Sequence, residues 1–339
     1  MNHKLQQNVE WTHYQGGHCE SAGVSSLVTN YGLDLSEPMA FGVSNSIMFI
    51  YFPFVKVWGM PLISYRMMPR SIINGVQKNL GIRFFTRTYK DQDVAMKELD
   101  DLLDGGKPVG LQVSASFLAY FCPDFNMPFN AHTTIIYGRE GDEYLVSDPI
   151  FEYTTRVTRD QVRKARFALG QNAPKGYCFY PEYFPETIDY RKAIRKAIKK
   201  SVTMMLQPMM PWVGIKAIYT MARRIEKLNG SPDTKYVKNY LGNIMTFQEE
   251  VGTGGGGFRF IYAAFLKEAS QLLGMPELLE ASRKMVAVGD LWRQAALGCA
   301  KAFSEKAGSI DTIPIAAAFR KCAKAEKDVY LMLKKIKWK

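Results

Sequence analysis

Histidine and cysteine are scarce in this sequence. Four histidines (His3, His13, His18 and His132) and five cysteines occur in 339 residues. An odd number of cysteines at irregular spacing makes no disulfide framework. Without a Cys-x-x-Cys pair or a histidine cluster, no structural zinc site is expected. Long apolar runs are missing too. The most apolar stretch, 47–55, contains Pro53 and stops at Lys56, far short of the roughly 20 residues of a membrane-spanning helix. The opening MNHKLQQNVEWTHYQGG has no apolar signal-peptide core. Together these absences predict a reduced, cytoplasmic protein. What is present suffices for folding. A hydrophobic content of 47% and a charged content of 22% exclude global disorder and collagen-like structure, and the length suits two domains.

Charge is distributed unevenly. Residues 1–150 hold 11 lysines and arginines against 15 acidic residues, a net of −4, and residues 151–339 hold 33 against 17, a net of +16. The change of sign marks two regions with different surroundings or partners. Nucleic acid is not among the expected partners, because zinc-finger spacing, RNP-type aromatic motifs and a helix-turn-helix pattern are all absent. An acidic protein, an anionic membrane surface and a merely solvated basic face remain as readings.

Along the chain, helical and strand patterns alternate at first. Residues 19–31, 70–80 and 91–103 read as helices, stopped by Gly32, Gly81 and Gly105-Gly106. Residues 47–55 read as a strand or a buried segment, and 82–88, 108–113, 132–138, 143–146, 151–157 and 177–180 as strands. Gly141-Asp142 is the hairpin turn between 132–138 and 143–146. The pattern is α+β. After Pro181 it becomes almost wholly helical, over 190–205, 212–228, 234–250, 258–273, 276–299 and 313–336. The expected division is a catalytic domain over 1–183 and a helical domain over 184–339.

One constellation carries chemistry. Cys19 ends Tyr14-Gln15-Gly16-Gly17-His18-Cys19 and opens a helical pattern. A thiol at a helix N-terminus meets free N–H groups and the positive end of the dipole, both of which favour thiolate. Gln15 lies four residues upstream, where its amide is a candidate oxyanion donor. A thiolate nucleophile needs a base and an orienter. His132 opens the strand AHTTIIYG, and Asp148 ends the next one, YLVSDP. Neighbouring antiparallel strands would bring these two together at one edge. The order Cys, His, Asp is the papain-like order. His18, adjacent to Cys19, is assigned to local structure or substrate contact. Cys122, Cys178, Cys299 and Cys322 read as packing residues.

The segments GGHCESAGVSSL, AHTTIIYG and YLVSDP, within about 12–150, resemble the N-terminal domain family of butirosin biosynthesis protein H. The segment GTGGGGFRFIYAAFLKEASQLLG resembles the helical domain of unknown function that follows it. The resemblance implies a papain-like cysteine peptidase or acyltransferase domain with a mainly α-helical C-terminal domain. It places the nucleophile on Cys19, the base on His132 and the acid on Asp148. It also implies transfer of an acyl group from a carrier-protein or coenzyme A thioester to an amine acceptor, with no cofactor beyond the phosphopantetheine-linked donor. A cysteine hydrolase, peptidase or amidase is the enzymatic alternative. A carrier-protein or lipid-binding module with an incidental cysteine is the other.

Two features of the second half stand apart. Gly254-Gly255-Gly256-Gly257-Phe258-Arg259 precedes a helix and offers a candidate anion contact through Arg259, without the Lys-Ser/Thr of a phosphate-binding P-loop. The alternative is a plain interhelical loop. Arg191, Lys192, Arg195, Lys196, Lys199 and Lys200 form a basic helical face running into Met204, Met205, Met209, Met210 and Trp212. An acidic acyl carrier protein docking on this half is the expectation. Peripheral contact with a membrane is the alternative.

Overall fold

The computed structural model describes residues 11–121, 129–304 and 309–338. In chain order the elements are α1 (Cys19–Asn30), α2 (Glu37–Val43), β1 (Ile47–Val57), β2 (Met60–Arg66), α3 (Ser71–Leu80), β3 (Arg83–Arg87), α4 (Gln92–Asp104), β4 (Val109–Val113), β5 (His132–Glu140), β6 (Glu143–Ser147), β7 (Thr155–Thr158), α5 (Arg159–Arg166) and β8 (Cys178–Tyr183). The helices α6 (Tyr190–Leu206), α7 (Gly214–Glu226), α8 (Thr234–Met245), α9 (Arg259–Leu273), α10 (Pro276–Ser304) and α11 (Ile313–Lys335) follow. The class is α+β with a helical C-terminal region.

Two compact units result. One comprises Met1–Ala40 and Pro69–Asp189, the other Phe41–Met68 and Tyr190–Lys339. The division expected at 183/184 therefore differs from the compact units at two places. Residues 41–68 belong with the helices, and the later boundary follows Asp189. The reason is local. The apolar run starting at Ile47 pairs with 60–66 as an antiparallel hairpin, whose apolar face needs cover. It finds this in its own unit, where Met48 and Ile50 cluster with Val213.

The first unit is built on a six-stranded antiparallel sheet of order β3-β8-β4-β5-β6-β7. Gly141-Asp142 makes the expected turn, with Glu140 paired to Glu143 across it. Helix α4 starts where the Asp91 side chain accepts from the N–H groups of Asp93 and Val94, satisfying donors that a helix start leaves bare. Its Ala95, Met96, Leu99 and Leu103 recur at helical spacing and bury against Val109, Leu111, Ile136, Tyr144 and Val146 of the sheet. Helix α1 packs against β4, β5 and β8. That places the start of a helix beside the start of a central strand.

In the second unit, helices present one apolar face each. In α7 that face is Ile215, Ile218, Met221, Ala222 and Ile225. The Tyr51 hydroxyl of β1 bonds the Tyr240 hydroxyl of α8 at 2.9 Å, fixing the hairpin to the helices. Among the described residues, no helix is long and apolar enough to cross a membrane.

Candidate active site

The site begins with how the chain enters α1. His18 is the N-cap, in extended backbone, and its Nδ1 accepts from the Ser21 N–H at 3.2 Å. Ahead of it the Gly16 N–H donates to the Pro149 carbonyl at 2.7 Å, which ties the glycine loop to the residue after Asp148. The Glu37 carboxylate accepts from the Gly17 N–H (2.8 Å), the His18 N–H (2.9 Å) and the Ser21 hydroxyl (2.8 Å). Burial pushes Glu37 above the usual carboxylate range, and those three hydrogen bonds pull against the rise. The carboxylate thus locks the loop that sets the start of α1.

Cys19 is the first residue of that helix. At the N-terminus of a helix its thiol lies at the positive end of the dipole, which favours thiolate. Across from it stands His132, the first residue of β5, paired in register with Val113 of β4. The β5–β6 ladder matches Ile135 with Ser147, so the next residue, Asp148, comes level with Thr134. Residues two apart share a face of a strand, which puts Asp148 on the side of His132. Accordingly, His132 Nε2 donates to Asp148 Oδ2 at 2.6 Å. The Cys19 side chain is a further hydrogen-bond partner of the ring, and with Nε2 committed to Asp148, Nδ1 is the nitrogen left for the thiol. Exposure falls to 4% at Cys19, 2% at His132 and 1% at Asp148.

The electrostatics follow from this burial. Burial by itself disfavours the His132 imidazolium, but the charge and hydrogen bond of Asp148, with smaller contributions from Cys19, outweigh it. The ring is pushed up to about 10. A cationic imidazole beside sulfur at neutral pH is the partner a thiolate requires.

Asp148 is itself held on three sides. The Tyr120 hydroxyl donates to Oδ2 at 2.7 Å and the Ile150 N–H to Oδ1 at 3.3 Å. Phe121 stands edge-on to the His132 ring at 5.1 Å, and Phe151 packs on both Tyr120 and Phe121. His13 clasps the same turn, with Nδ1 at 2.8 Å from the Ser147 hydroxyl and Nε2 at 3.0 Å from the Phe151 carbonyl.

The structure thus brings together Cys19, His132 and Asp148. Gln15 is exposed on the loop ahead of Cys19. His18 is buried and spent as the helix cap, so the substrate-contact reading of it gives way to a structural one. Arg259 lies in the other unit, fully enclosed. Its guanidinium meets the Glu326 carboxylate at 2.9 Å and the Gly257 carbonyl at 2.6 Å, and lies over the Trp292 ring. An arginine so enclosed presents nothing to a ligand, which corrects its assignment to substrate binding. The glycine loop before it is a packed joint. Its residues 254–257 all take left-handed φ, the Gly256 N–H donates to the Glu249 carboxylate at 3.1 Å, and a Cβ at Gly257 would come within 2.4 Å of Tyr65. The chain's own carboxylate takes the donor an anion would have used. Cys178, Cys299 and Cys322 are buried packing residues, and burial pushes the thiols of Cys299 and Cys322 up to about 12. Cys122 and His3 lie outside the described residues.

Sequence reasoning missed Glu37, Tyr120 and His13. Each acts on partners between 16 and 138 positions away, and only the pairing of distant elements reveals them. Among the described residues, no group of three or more His, Cys, Asp or Glu could hold a metal ion.

Comparison with known proteins gives two family matches. Residues 18–149 match the model described as butirosin biosynthesis protein H, N-terminal, and residues 160–333 match a domain of unknown function, DUF4872. Among solved structures, a putative C39-like peptidase from Bacillus anthracis aligns at 14% identity with a TM-score of 0.36, over 53% of this chain and all of its own. Curated proteins give no match.

Proposed function

Starting from a chain that belongs to the DUF4872 family and carries a butirosin biosynthesis protein H-like N-terminal region, we propose that it is a cysteine-dependent acyltransferase. The observation that supports this reading is the buried Cys19–His132–Asp148 series at the start of α1. The donor is an acyl thioester on a carrier protein or coenzyme A, and the acceptor is an amine.

In the first step the Cys19 thiolate attacks the thioester carbonyl. The developing oxyanion faces the Cys19 N–H at the helix start. The donor's C–S bond breaks, an acyl–sulfur bond to Cys19 forms, and the leaving thiol takes its proton from the His132 imidazolium. In the second step the amine attacks the acyl-enzyme. His132 removes the amine proton, and Cys19 leaves as thiolate with the amide released. Asp148 holds the ring so that one nitrogen faces the sulfur throughout. Transfer and hydrolysis share the first step and differ in the access of water to the second.

Intact-protein mass spectrometry after incubation with acylated carrier protein tests the reading. The expected result is a single acyl adduct, absent in Cys19→Ala, that an added amine discharges much faster than water does. The same substitution should lower turnover by more than about ten-thousandfold and leave the melting temperature nearly unchanged. An adduct persisting on Cys19→Ala rejects the nucleophile. An adduct that water clears as fast as amines do makes the protein a hydrolase.

A further inference from the structure

The second unit carries a surface that the chemistry at Cys19 does not use. Helix α6 has six basic residues and no acidic one. Arg191, Lys192, Arg195, Lys196, Lys199 and Lys200 are all exposed, while the intervening Ala193, Ile194, Ala197 and Ile198 are buried. The exposed stripe continues at three- and four-residue steps through Lys196, Lys199, Thr203 and Gln207, positions that share one helix face. It then runs directly into the loop 208–212.

That loop is apolar and projects outward. Met209 is 102% exposed, and Met210 is exposed beside it. Trp212 packs edge-on against Phe54 at 4.9 Å, and this joins the loop to the tip of the β1–β2 hairpin, where Phe54 is 61% and Trp58 50% exposed. Alongside the stripe, a groove of about 230 Å3 is lined by Lys199, Leu206, Leu333, Lys334, Ile336 and Trp338 among others. It sets cations beside apolar walls.

We propose that this face of the helical unit binds an anionic lipid bilayer. The α6 stripe would meet acidic headgroups, and the Phe54–Trp58 tip and Met209 would enter the interface. Charge alone would suit an acidic carrier protein equally well. The apolar side chains decide, because they protrude from a loop and a hairpin tip. A protein partner would need a matching cavity for each of them, whereas a fluid interface closes around any protrusion. Tryptophan, phenylalanine and methionine beside lysine is the composition that partitions into that zone. Each basic residue near an anionic surface adds roughly fivefold to partitioning. The vesicle test is independent of the acyl-transfer reading, since neither the surface nor vesicle binding involves Cys19; only the carrier-protein arm below rests on that reading.

Co-sedimentation of the full chain with vesicles tests it, using phosphatidylcholine alone and an equal mixture with phosphatidylglycerol. Binding is expected to the mixed vesicles only and should fall as salt is raised, because exposed charges are screened beyond roughly 8 Å at physiological ionic strength. The quadruple variant R195Q/K196Q/K199Q/K200Q should lose more than about a hundredfold in partitioning. Phe54→Glu with Met209→Glu should lose at least about tenfold with an unchanged circular dichroism spectrum. All the altered residues are exposed, so two independent sets guard against a folding artefact. Absence of vesicle binding, or binding untouched by both sets, overturns the proposal. Absence of vesicle binding together with slower acylation of the quadruple variant by an acidic carrier assigns the face to that protein instead.

Discussion

Each unit buries a cation–carboxylate pair beside aromatic rings, yet only one of the two pairs has a thiol beside it. Arg259 and Glu326 are both wholly enclosed. Arg259 gives its remaining donors to a backbone carbonyl, and Trp292 Nε1 donates to the same Glu326 carboxylate. Every strong group in that cluster faces another. His132 and Asp148 are as deeply buried, and Tyr120 completes Asp148 much as Trp292 completes Glu326. The difference is the open valence. One nitrogen of His132 is turned to a thiol at a helix start rather than to a further structural partner. Burial and charge alone therefore do not mark a site, and what marks one is a reactive atom that the network orients without consuming.

The comparison breaks most visibly if the Arg259 cluster is severed. Glu326→Ala leaves a buried guanidinium without its counter-charge and should cost about 3–5 kcal/mol of stability, read by urea denaturation. The pH profile of Cys19 labelling in the remaining folded protein should not move. A profile that shifts with Glu326 would show the two clusters to be coupled.

Asp148→Asn probes the other pair. His132 is raised by Asp148, so its imidazolium persists up to about pH 10 in the native protein. The stability this pair contributes is complete below the unfolded histidine range near 6.5 and is lost as pH rises through about 10. Without the aspartate charge, burial lowers the ring against only the smaller contributions of Cys19. The alkaline limb of turnover should therefore move down by several pH units, with turnover at neutral pH reduced about a hundredfold and less than in His132→Ala. An alkaline limb left in place would remove Asp148 from its role.

The smallest effect sharpens the analogy between Tyr120 and Trp292. Tyr120→Phe deletes one hydrogen bond to a charged oxygen, worth about 1.5 kcal/mol, or about tenfold in turnover. His132 should rise slightly, since its partner Asp148 then keeps more charge for the ring. A Tyr120→Phe enzyme with unchanged turnover would leave the hydroxyl a packing role only.

Much of this is readable from the sequence, and the unread parts share a cause. Helix α1, the hairpin turn at Gly141-Asp142 and the six C-terminal helices follow from periodicity and turn chemistry, which are local. The His132–Asp148 pair is legible because a two-residue turn fixes the register between its strands. Glu37 is not, because its partners are two backbone N–H groups and a hydroxyl at the start of a helix 16 to 20 positions earlier, and sequence records no such pairing. The departure of residues 41–68 from the flanking sheet is hidden for a similar reason. Its strand pattern is genuine, but no local signal says which layer it joins. Arg259 misleads in the opposite direction. Glycines before a helix and an arginine after them look alike whether the amides await a phosphate or already hold the carboxylate of Glu249.

The detached hairpin also sets an order of assembly. The segment 41–68 leaves the ribosome about 120 residues before the first helix that covers it, a separation of the kind that slows folding and exposes sticky intermediates. Until α6 to α8 emerge, Met48, Ile50 and Tyr51 have only the hairpin itself to pack on, without Val213 or the Tyr240 hydroxyl. During synthesis this stretch therefore leaves apolar surface exposed until its helices arrive. A fragment ended at residue 189 would keep that exposure permanently. An excised first unit needs residues 41–68 replaced by a short polar linker, not merely a stop codon after the last strand.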